Sequence, residues 1–161
     1  MIESDTATAK EAPPSPFSTS LLLQAASVSL KFDPEFTAKV AQKLFEQGLI
    51  TYHRTDSVNF SGEAIAEIRT FAQGKGWKLP EQPRRFKAKG DAQEAHEAIR
   101  PTHLEDDEAG EDEAQRALYK LIWKRAIASQ LADALYRVNT VVLESTDSAE
   151  VFEFRAKGRV L

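Results

Sequence analysis

The sequence predicts a mainly α-helical fold with a small β component. Four long stretches carry apolar residues at the spacing that places them on one side of a helix, and three of these begin at a Ser or Asp suited to capping. β-Branched and aromatic runs typical of strands occur only near residues 49–52 and after residue 136. The 161 residues are 42% hydrophobic and 29% charged, which is the composition of one globular domain.

The first two predicted helices lie close together in the chain. Residues 18–30 form the first, with Ser and Thr at its start and apolar residues along one side. The second begins at Asp33, which caps its N-terminus, and Pro34 suits its first turn. Gly48 stands where a left-handed residue ends a helix.

A strand, a third helix and a loop follow. Residues 49–52 read Leu-Ile-Thr-Tyr, which predicts a short strand. Two helices, a turn and a strand leading into a polar loop resemble a winged-helix (CAP-like) unit. Ser61 caps the third predicted helix, and the glycines and prolines of residues 74–83 predict a loop.

The remaining chain is predicted to contain two further helices and two strands. A short helix is expected over residues 92–100, before a proline, and the longest helix over residues 114–131. Two strands are expected at residues 137–144 and 150–155, around a Ser-Thr-Asp-Ser turn.

These predicted elements divide the chain into three parts. We expect residues 1–16 to be a flexible leader, because they are rich in Ser, Thr, Ala and Pro and contain almost no large apolar residue. Residues 17–136 would form the winged-helix-like domain. Residues 137–161 would begin a β-rich domain, and since this β segment continues to the last residue, the chain is expected to be truncated there.

Charge is distributed unevenly along the chain. The formal net charge is −4, but residues 105–113 hold seven acidic groups and no basic one. Without them 21 basic residues face 18 acidic ones, so one acidic loop, expected to be solvated, sets the sign. Basic clusters at residues 84–89 and 116–125 are either solvated surface or a phosphate-binding patch.

Several classes of protein are excluded by composition. The absence of cysteine excludes disulfide frameworks, thiol catalysis and cysteine-based zinc sites. The N-terminus has neither the basic nor the apolar region of a secretory signal, and no apolar run approaches the length of a membrane span. We therefore expect a cytoplasmic protein with no membrane partner.

Tyr52 and Arg54 form the first candidate site. On an extended segment their side chains point to the same side. A phenol is a poor nucleophile unless its anion and the attacked group are stabilised, and a guanidinium binds phosphate in a fixed fork. The pair therefore suits attack on a phosphodiester to give a phosphotyrosine. The alternative is a tyrosine packed in the core beside an exposed arginine.

The second candidate site is the segment that contains His96 and Arg100. On the predicted helix these residues are four apart on one face, so both could meet one phosphate. The segment begins like the zinc-protease pattern HExxH, but Arg100 occupies the position of its second histidine, and that reading fails. The alternative is a surface histidine paired with a neighbouring carboxylate.

Three segments together resemble the type IA DNA topoisomerase family, most closely bacterial DNA topoisomerase I. They are PFSTSLLLQAAS, AQKLFEQGLITYHRTDS and QEAHEAIRPT, and the similarity covers essentially the whole chain after residue 16. Reverse gyrase shares the Tyr-x-Arg-Thr-Asp neighbourhood and stays an alternative within the family.

The resemblance implies a reaction and its residues. Members of the family cut one DNA strand through a 5′-phosphotyrosine link, pass another strand through and reseal, which relaxes negative supercoils. By motif, Tyr52 corresponds to the nucleophile, Arg54 to its phosphate-binding partner and His96 to the active-site histidine. Weaker DNA-binding candidates near this site are Arg100, Thr51, Asp56 and Gln42. His53 is assigned no role.

The resemblance also implies cofactors and partners. Intact members bind Mg²⁺ in a Toprim domain that this sequence does not contain, so no metal is expected in this chain. The implied partners are single-stranded DNA and the other domains of the parent enzyme, and the terminal strands are expected to pair between chains. A function of another class stays open, in which the chain is a winged-helix-like module that binds single-stranded DNA without catalysis.

Overall fold

The computed structural model describes residues 2–87, 96–144 and 152–161. These residues form four helices and a three-stranded antiparallel sheet, which confirms the mainly α fold with a small β component. The chain divides into two compact units, one of residues 13–132 and one of residues 1–12 with 133–161. In chain order the elements are β1 (Ile2–Glu11), α1 (Thr19–Leu30), α2 (Pro34–Glu46), α3 (Gly62–Gly74), α4 (Glu113–Ala128), β2 (Ala134–Glu144) and β3 (Glu153–Val160).

Side-chain caps fix where the helices begin. Ser18, Asp33 and Ser61 each accept a hydrogen bond from the backbone N–H three residues later, as the sequence predicts. Asp112 does the same for α4, with 2.8 Å between its carboxylate and the N–H of Gln115. Gly48 follows α2 in the left-handed conformation, with φ at 73°.

The helical unit is built around two apolar clusters. The first joins α1, α2 and α4 through buried side chains that include Leu22, Leu44 and Ile122. The second lies beneath α3 and includes Ile68 and Ile127. Of the helices in the described residues, none is both long and apolar enough to cross a membrane.

The acidic loop of residues 105–113 is bound to α4 and is not merely solvated. The hydroxyl of Tyr119 donates to the backbone carbonyl of Asp106 at 2.6 Å, and the ammonium of Lys120 lies 2.8 Å from the carboxylate of Asp107. This contact holds the pKa of Asp107 below its usual value. Gly110 allows the sharp turn, because a Cβ there would lie 2.6 Å from that of Gln115 and its φ is 122°.

The predicted helix over residues 92–100 is wrong for the part that is described, residues 96–100. Ile99 instead forms a β-bridge with Phe17, and the N–H of Ala98 donates to the carbonyl of Asn59. The following proline disfavours helical geometry at Arg100, and the backbone donors find partners far away in sequence. Residues 92–95 lie outside the described part.

The predicted strand at residues 49–52 reduces to a single β-bridge between Ile50 and Pro101. The N–H of Thr51 still donates to the carbonyl of Arg100 and that of Thr102 to the carbonyl of Leu49, so the segment is paired without forming a ladder.

The flexible leader expected over residues 1–16 is also wrong, because residues 2–11 form β1. This strand pairs antiparallel with β2, from Ile2 opposite Leu143 to Glu11 opposite Ala134. β2 pairs on its other side with β3, from Arg137 opposite Val160 to Glu144 opposite Glu153. The partner of β1 lies more than a hundred residues away in the chain, so local composition could not reveal it. The predicted turn at residues 145–148 falls outside the described part.

We predict that Tyr119→Phe destabilises the helical unit at neutral pH and much less at high pH. The tyrosine hydroxyl donates to the carbonyls of Asp106 and His103, so its loss costs about 1 kcal/mol. Burial raises the pKa of Tyr119 to about 12, with help from the charges of Asp106 and Asp107. The raised pKa contributes stability that is complete below the unfolded-state pKa near ~10 and is lost as the pH rises through the folded value.

Urea unfolding at pH 8 and at pH 11 measures this effect. The gap in unfolding free energy between wild type and Tyr119→Phe should shrink at the higher pH. A gap that is the same at both values would contradict the prediction. Tyr136→Phe, in the sheet unit, serves as the control.

Candidate functional site

The segment that carries Tyr52 is held on one side by residues 98–101. The hydroxyl of Thr51 accepts a hydrogen bond from the N–H of Arg100 at 3.0 Å and donates to the carbonyl of Ala98 at 3.2 Å. The N–H of Thr51 donates to the carbonyl of Arg100 at 2.9 Å. Thr51 therefore uses both its backbone and its side chain to join the two segments.

On its other side the segment is held by the first residue of α1. The hydroxyl of Thr19 lies 2.7 Å from the carbonyl oxygen of His53 and accepts from the N–H of Thr55 at 2.9 Å. The N–H of Thr19 donates to the carbonyl of Thr55. A stretch without regular secondary structure is thereby fixed at both ends.

Between these anchors the side chains alternate between solvent and interior. The side chain of Tyr52 is 51% exposed, that of His53 is buried and that of Arg54 is exposed. The ring of Tyr52 packs edge-on against Phe45, with centroids 5.1 Å apart, and against His53 at 5.4 Å. This arrangement leaves both the phenol of Tyr52 and the guanidinium of Arg54 exposed to solvent.

His96 lies beside Asp56. Asp56 is the last residue of the Tyr-x-Arg-Thr-Asp segment that begins at Tyr52, and we call this segment the tyrosine motif. Its Nδ1 is 3.7 Å from a carboxylate oxygen of Asp56, and both side chains are more than half exposed. The fold thus brings the second candidate segment to the first, across forty residues of sequence.

Arg100 does not share a surface with His96 as the predicted helix required. Its guanidinium Nε donates to Glu97 at 2.8 Å, its Nη1 donates to the carbonyl of Pro101 and lies 4.0 Å from Glu67, and its side chain is mostly buried. Glu97 also accepts from the N–H and hydroxyl of Ser61, the cap of α3. Arg100 therefore fixes its own segment against α3.

Gln42 reaches the site from α2. Its amide donates to Glu46 at 2.9 Å, and it lines an open pocket of about 350 Å³ together with His53 and Arg54. The pocket lies between α1 and α2, and we call it the α1–α2 pocket.

His53 is the site residue to which sequence reasoning gave no role. It is 6% exposed, and its Nδ1 has no hydrogen-bond partner in the described part of the chain. Burial lowers the pKa of His53, and the neighbouring charge of Arg54 lowers it further. The only sequence signal for its burial was its position between two outward-facing residues.

The basic clusters are largely engaged in internal contacts. Arg84 and Arg85 donate to the carbonyls of Leu131 and Phe60, and Arg125 lies over the ring of Phe17. Lys120 is bound by the acidic loop. Lys89 lies outside the described residues. These contacts account for most of the clusters without a nucleic-acid ligand.

No metal-binding cluster occurs in the part of the chain that the structure describes, since no three Asp, Glu or His side chains converge there. The candidate site in the described residues is a set of one phenol, one exposed guanidinium and one imidazole–carboxylate pair.

A protein-family model and individual relatives point to the same family for this chain. Residues 2–161 match the protein-family model described as DNA topoisomerase. The chain is 52% identical over 159 residues to the DNA topoisomerase I (plasmid) of Xylella fastidiosa, covering 98% of this chain and 24% of that protein. It is 42% identical over 158 residues to DNA topoisomerase 1 of Escherichia coli, covering 92% and 17% respectively.

A solved structure is similar throughout the chain. Full-length topoisomerase I from Thermotoga maritima matches with a TM-score of 0.76 and 32% identity, covering 98% of this chain and 27% of that one. The chain thus spans about a quarter or less of the length of these relatives.

We predict that Thr51→Val destabilises the helical unit by about 1 kcal/mol, because the part-buried N–H of Arg100 loses its acceptor and the carbonyl of Ala98 loses its donor. Thr51→Ser keeps the hydroxyl and serves as the matched control. Urea unfolding should place the serine variant near wild type and the valine variant well below it. A valine variant as stable as wild type would contradict the prediction.

Proposed function

Since the chain belongs to the DNA topoisomerase family, we propose that it is the part of a type IA enzyme that carries the nucleophile, Tyr52. The observation that carries this proposal is the accessible phenol of Tyr52, held on a doubly anchored segment beside Arg54 and the Asp56–His96 pair. In this proposal the helical unit of residues 13–132 acts as the winged-helix-like cleavage domain, which the sequence analysis expected over residues 17–136. The sheet of β1, β2 and β3 then belongs to the β-rich domain that residues 137–161 were expected to begin.

The proposed reaction is a transesterification. The hydroxyl oxygen of Tyr52 forms a bond to a DNA phosphorus and gives up its proton, and the bond from that phosphorus to the 3′ oxygen breaks. The products are a 5′-phosphotyrosine and a 3′ hydroxyl. The reverse attack by that hydroxyl reseals the strand and frees the tyrosine, so no energy source is required.

Arg54 supplies positive charge where the transition state needs it. An exposed guanidinium two residues from the phenol can hold two phosphate oxygens in a fork while negative charge grows on them. It is the only arginine of the tyrosine motif, and the described residues bring no carboxylate within ion-pair distance of it.

His96 and Asp56 form the second half of the proposed site. In this proposal the carboxylate of Asp56, 3.7 Å from Nδ1 of His96, closes to hydrogen-bond distance when DNA binds, and Nε2 then meets an oxygen of the DNA backbone. Asp56 is then a positioning residue, while His96 contacts the substrate.

The weaker candidates divide by their contacts. Gln42, exposed and near Arg54, is proposed to touch DNA. Thr51 and Arg100 are proposed to position the tyrosine segment, because their polar groups are bonded internally.

Mg²⁺ is assigned no step within this chain, and it belongs in this proposal to the Toprim domain of a complete enzyme. The proposed partners are single-stranded DNA and the remaining domains, in the cytoplasm, with edge strands that can pair between chains.

The direct test places this chain in a complete relative. We predict that a chimaera, in which the chain replaces the matching segment of the Xylella fastidiosa enzyme, relaxes negatively supercoiled plasmid and forms a covalent DNA adduct. Tyr52→Phe should lower both by at least about 10³-fold, because it removes the attacking oxygen. An adduct that persists in the phenylalanine variant would assign the nucleophile elsewhere. The chain alone should relax no plasmid.

We predict that Arg54→Lys in the same chimaera lowers adduct formation by about 10²-fold, because lysine keeps the charge but cannot form the fork. Arg116→Lys is the matched control, since Arg116 is exposed on α4 and bonds only to the carbonyls of its own loop. Equal rates for Arg54→Lys and wild type would remove Arg54 from the site.

A further inference from the structure

Three aromatic rings meet where the tyrosine motif passes the end of α2. The ring of Phe45, in the last turn of α2, lies 5.1 Å from that of Tyr52 and 5.8 Å from that of His53, measured between centroids. The rings of Tyr52 and His53 are 5.4 Å apart, so each ring contacts the other two. Aromatic pairs at such distances attract each other beyond the effect of surface burial. The proposed cleavage chemistry gives Phe45 no part.

The end of α2 brings these rings together. The N–H of Gly48, a residue with φ at 73°, donates to the carbonyl of Phe45 at 2.9 Å, and the N–H of Leu49 donates to the carbonyl of Leu44 at 2.9 Å. These two bonds form a Schellman motif, which ends the helix and turns the chain. Tyr52 thereby comes to lie beside the helix that the chain has just left. Phe45 is presented from a fixed position, because its neighbour Leu44 is fully buried in the first apolar cluster.

The side chain of Tyr52 depends on these ring contacts for its orientation. It is about half exposed, and among the described residues its hydroxyl has no hydrogen-bond partner. A side chain has three staggered wells at χ1, and an exposed ring without contacts is divided among them. The bonds of Thr19 and Thr51 fix the backbone of the segment but not this torsion. The contacts with Phe45 and His53 therefore select the rotamer.

The geometry of the contacts specifies a direction as well as a distance. The ring planes of Phe45 and Tyr52 are inclined by 65°, and those of Tyr52 and His53 by 68°. In such edge-to-face pairs the positive edge of one ring faces the negative face of the other, which an aliphatic side chain cannot reproduce. A change of rotamer would move the phenol oxygen by several ångströms, whereas a nucleophile must approach its target to about 3–3.5 Å.

We propose that Phe45 is a positioning residue of the cleavage site, whose ring, together with that of buried His53, holds the phenol of Tyr52 in the rotamer from which it attacks. The inference rests on the proposed function, since it takes Tyr52 as the nucleophile. Phe45 acts on Tyr52 and not on DNA, so its loss lowers the rate of attack and leaves the affinity for DNA unchanged.

The first test follows the ring of Tyr52 in this chain by NMR. The chain has three tyrosines, so Tyr119 and Tyr136 serve as internal references. In wild type, the side-chain couplings of Tyr52 should show one dominant χ1 rotamer, and its ring signals should be displaced by the neighbouring rings. Phe45→Leu should average the couplings and move the ring signals toward those of a free tyrosine. Phe45→Tyr, which keeps the ring, should preserve both, and the reference signals should not move.

The second test measures covalent adduct formation by the chimaera in a single turnover on a single-stranded oligonucleotide. Phe45→Leu should lower the rate at saturating DNA by about three- to tenfold, which is the factor that corresponds to one aromatic pair. The dissociation constant of the oligonucleotide should stay within about twofold of the wild-type value. Phe45→Tyr should restore the rate, because it restores the edge-to-face pair.

Phe36→Leu is the matched control. Phe36 lies on the same helix, is 42% exposed against 38% for Phe45, and pairs edge-on with Phe32 at 4.9 Å. Its substitution removes an equivalent aromatic pair that does not include Tyr52. Urea unfolding should show a similar loss of stability for Phe36→Leu and Phe45→Leu, and only Phe45→Leu should slow the formation of the adduct.

Four results would overturn the proposal. They are ring signals of Tyr52 that stay in place in Phe45→Leu, an unchanged adduct rate in that variant, an equal loss of rate in Phe36→Leu, and a loss of DNA affinity with an unchanged rate at saturation. The last result would mean that Phe45 contacts DNA. A wild-type chimaera without an adduct would instead refute the proposed function, and the NMR of this chain would still show whether Phe45 fixes the ring of Tyr52.

Discussion

The segment that carries Tyr52 depends on an exchange of hydrogen bonds between Thr51 and Arg100. Each residue donates a backbone N–H to the other, one to a carbonyl and one to a hydroxyl, and the hydroxyl of Thr51 reaches on to Ala98. These bonds replace the ladder that a regular strand would provide. They hold Tyr52 on backbone that is irregular but fixed, and the nucleophilic role proposed for Tyr52 requires such a fixed geometry.

The same exchange of hydrogen bonds determines where the side chains of Arg100 and His96 lie. Because residues 98–101 are drawn against the tyrosine segment, Arg100 turns toward Glu97 and the cap of α3, and its charge is neutralised within the fold. His96, a few residues earlier, is left at the surface next to Asp56. Arg54 remains exposed. The acidic loop, which gives the chain its net negative charge, is bound to α4 through Lys120 and Tyr119.

Elements whose signals are local were predictable, and elements defined by distant partners were not. The caps at Ser18, Asp33 and Ser61 and the stop at Gly48 are read within one turn of helix, and the structure confirms them. β1 and the extended run at residues 96–100 take their hydrogen bonds from residues far away in sequence. Their local patterns, small polar residues in one case and helix formers in the other, pointed to different structures.

The candidate site shows the same division. Alternation predicted only that Tyr52 and Arg54 point to the same side, and it left a core position for the tyrosine open. The family resemblance placed His96 and Asp56 at one site, and only the structure shows that they lie side by side. Alternation has a further consequence, since it places His53 on the opposite side of the same three residues. The imidazole, the phenol and the guanidinium are therefore carried by one segment, whose ends are held by Thr19 and Thr51.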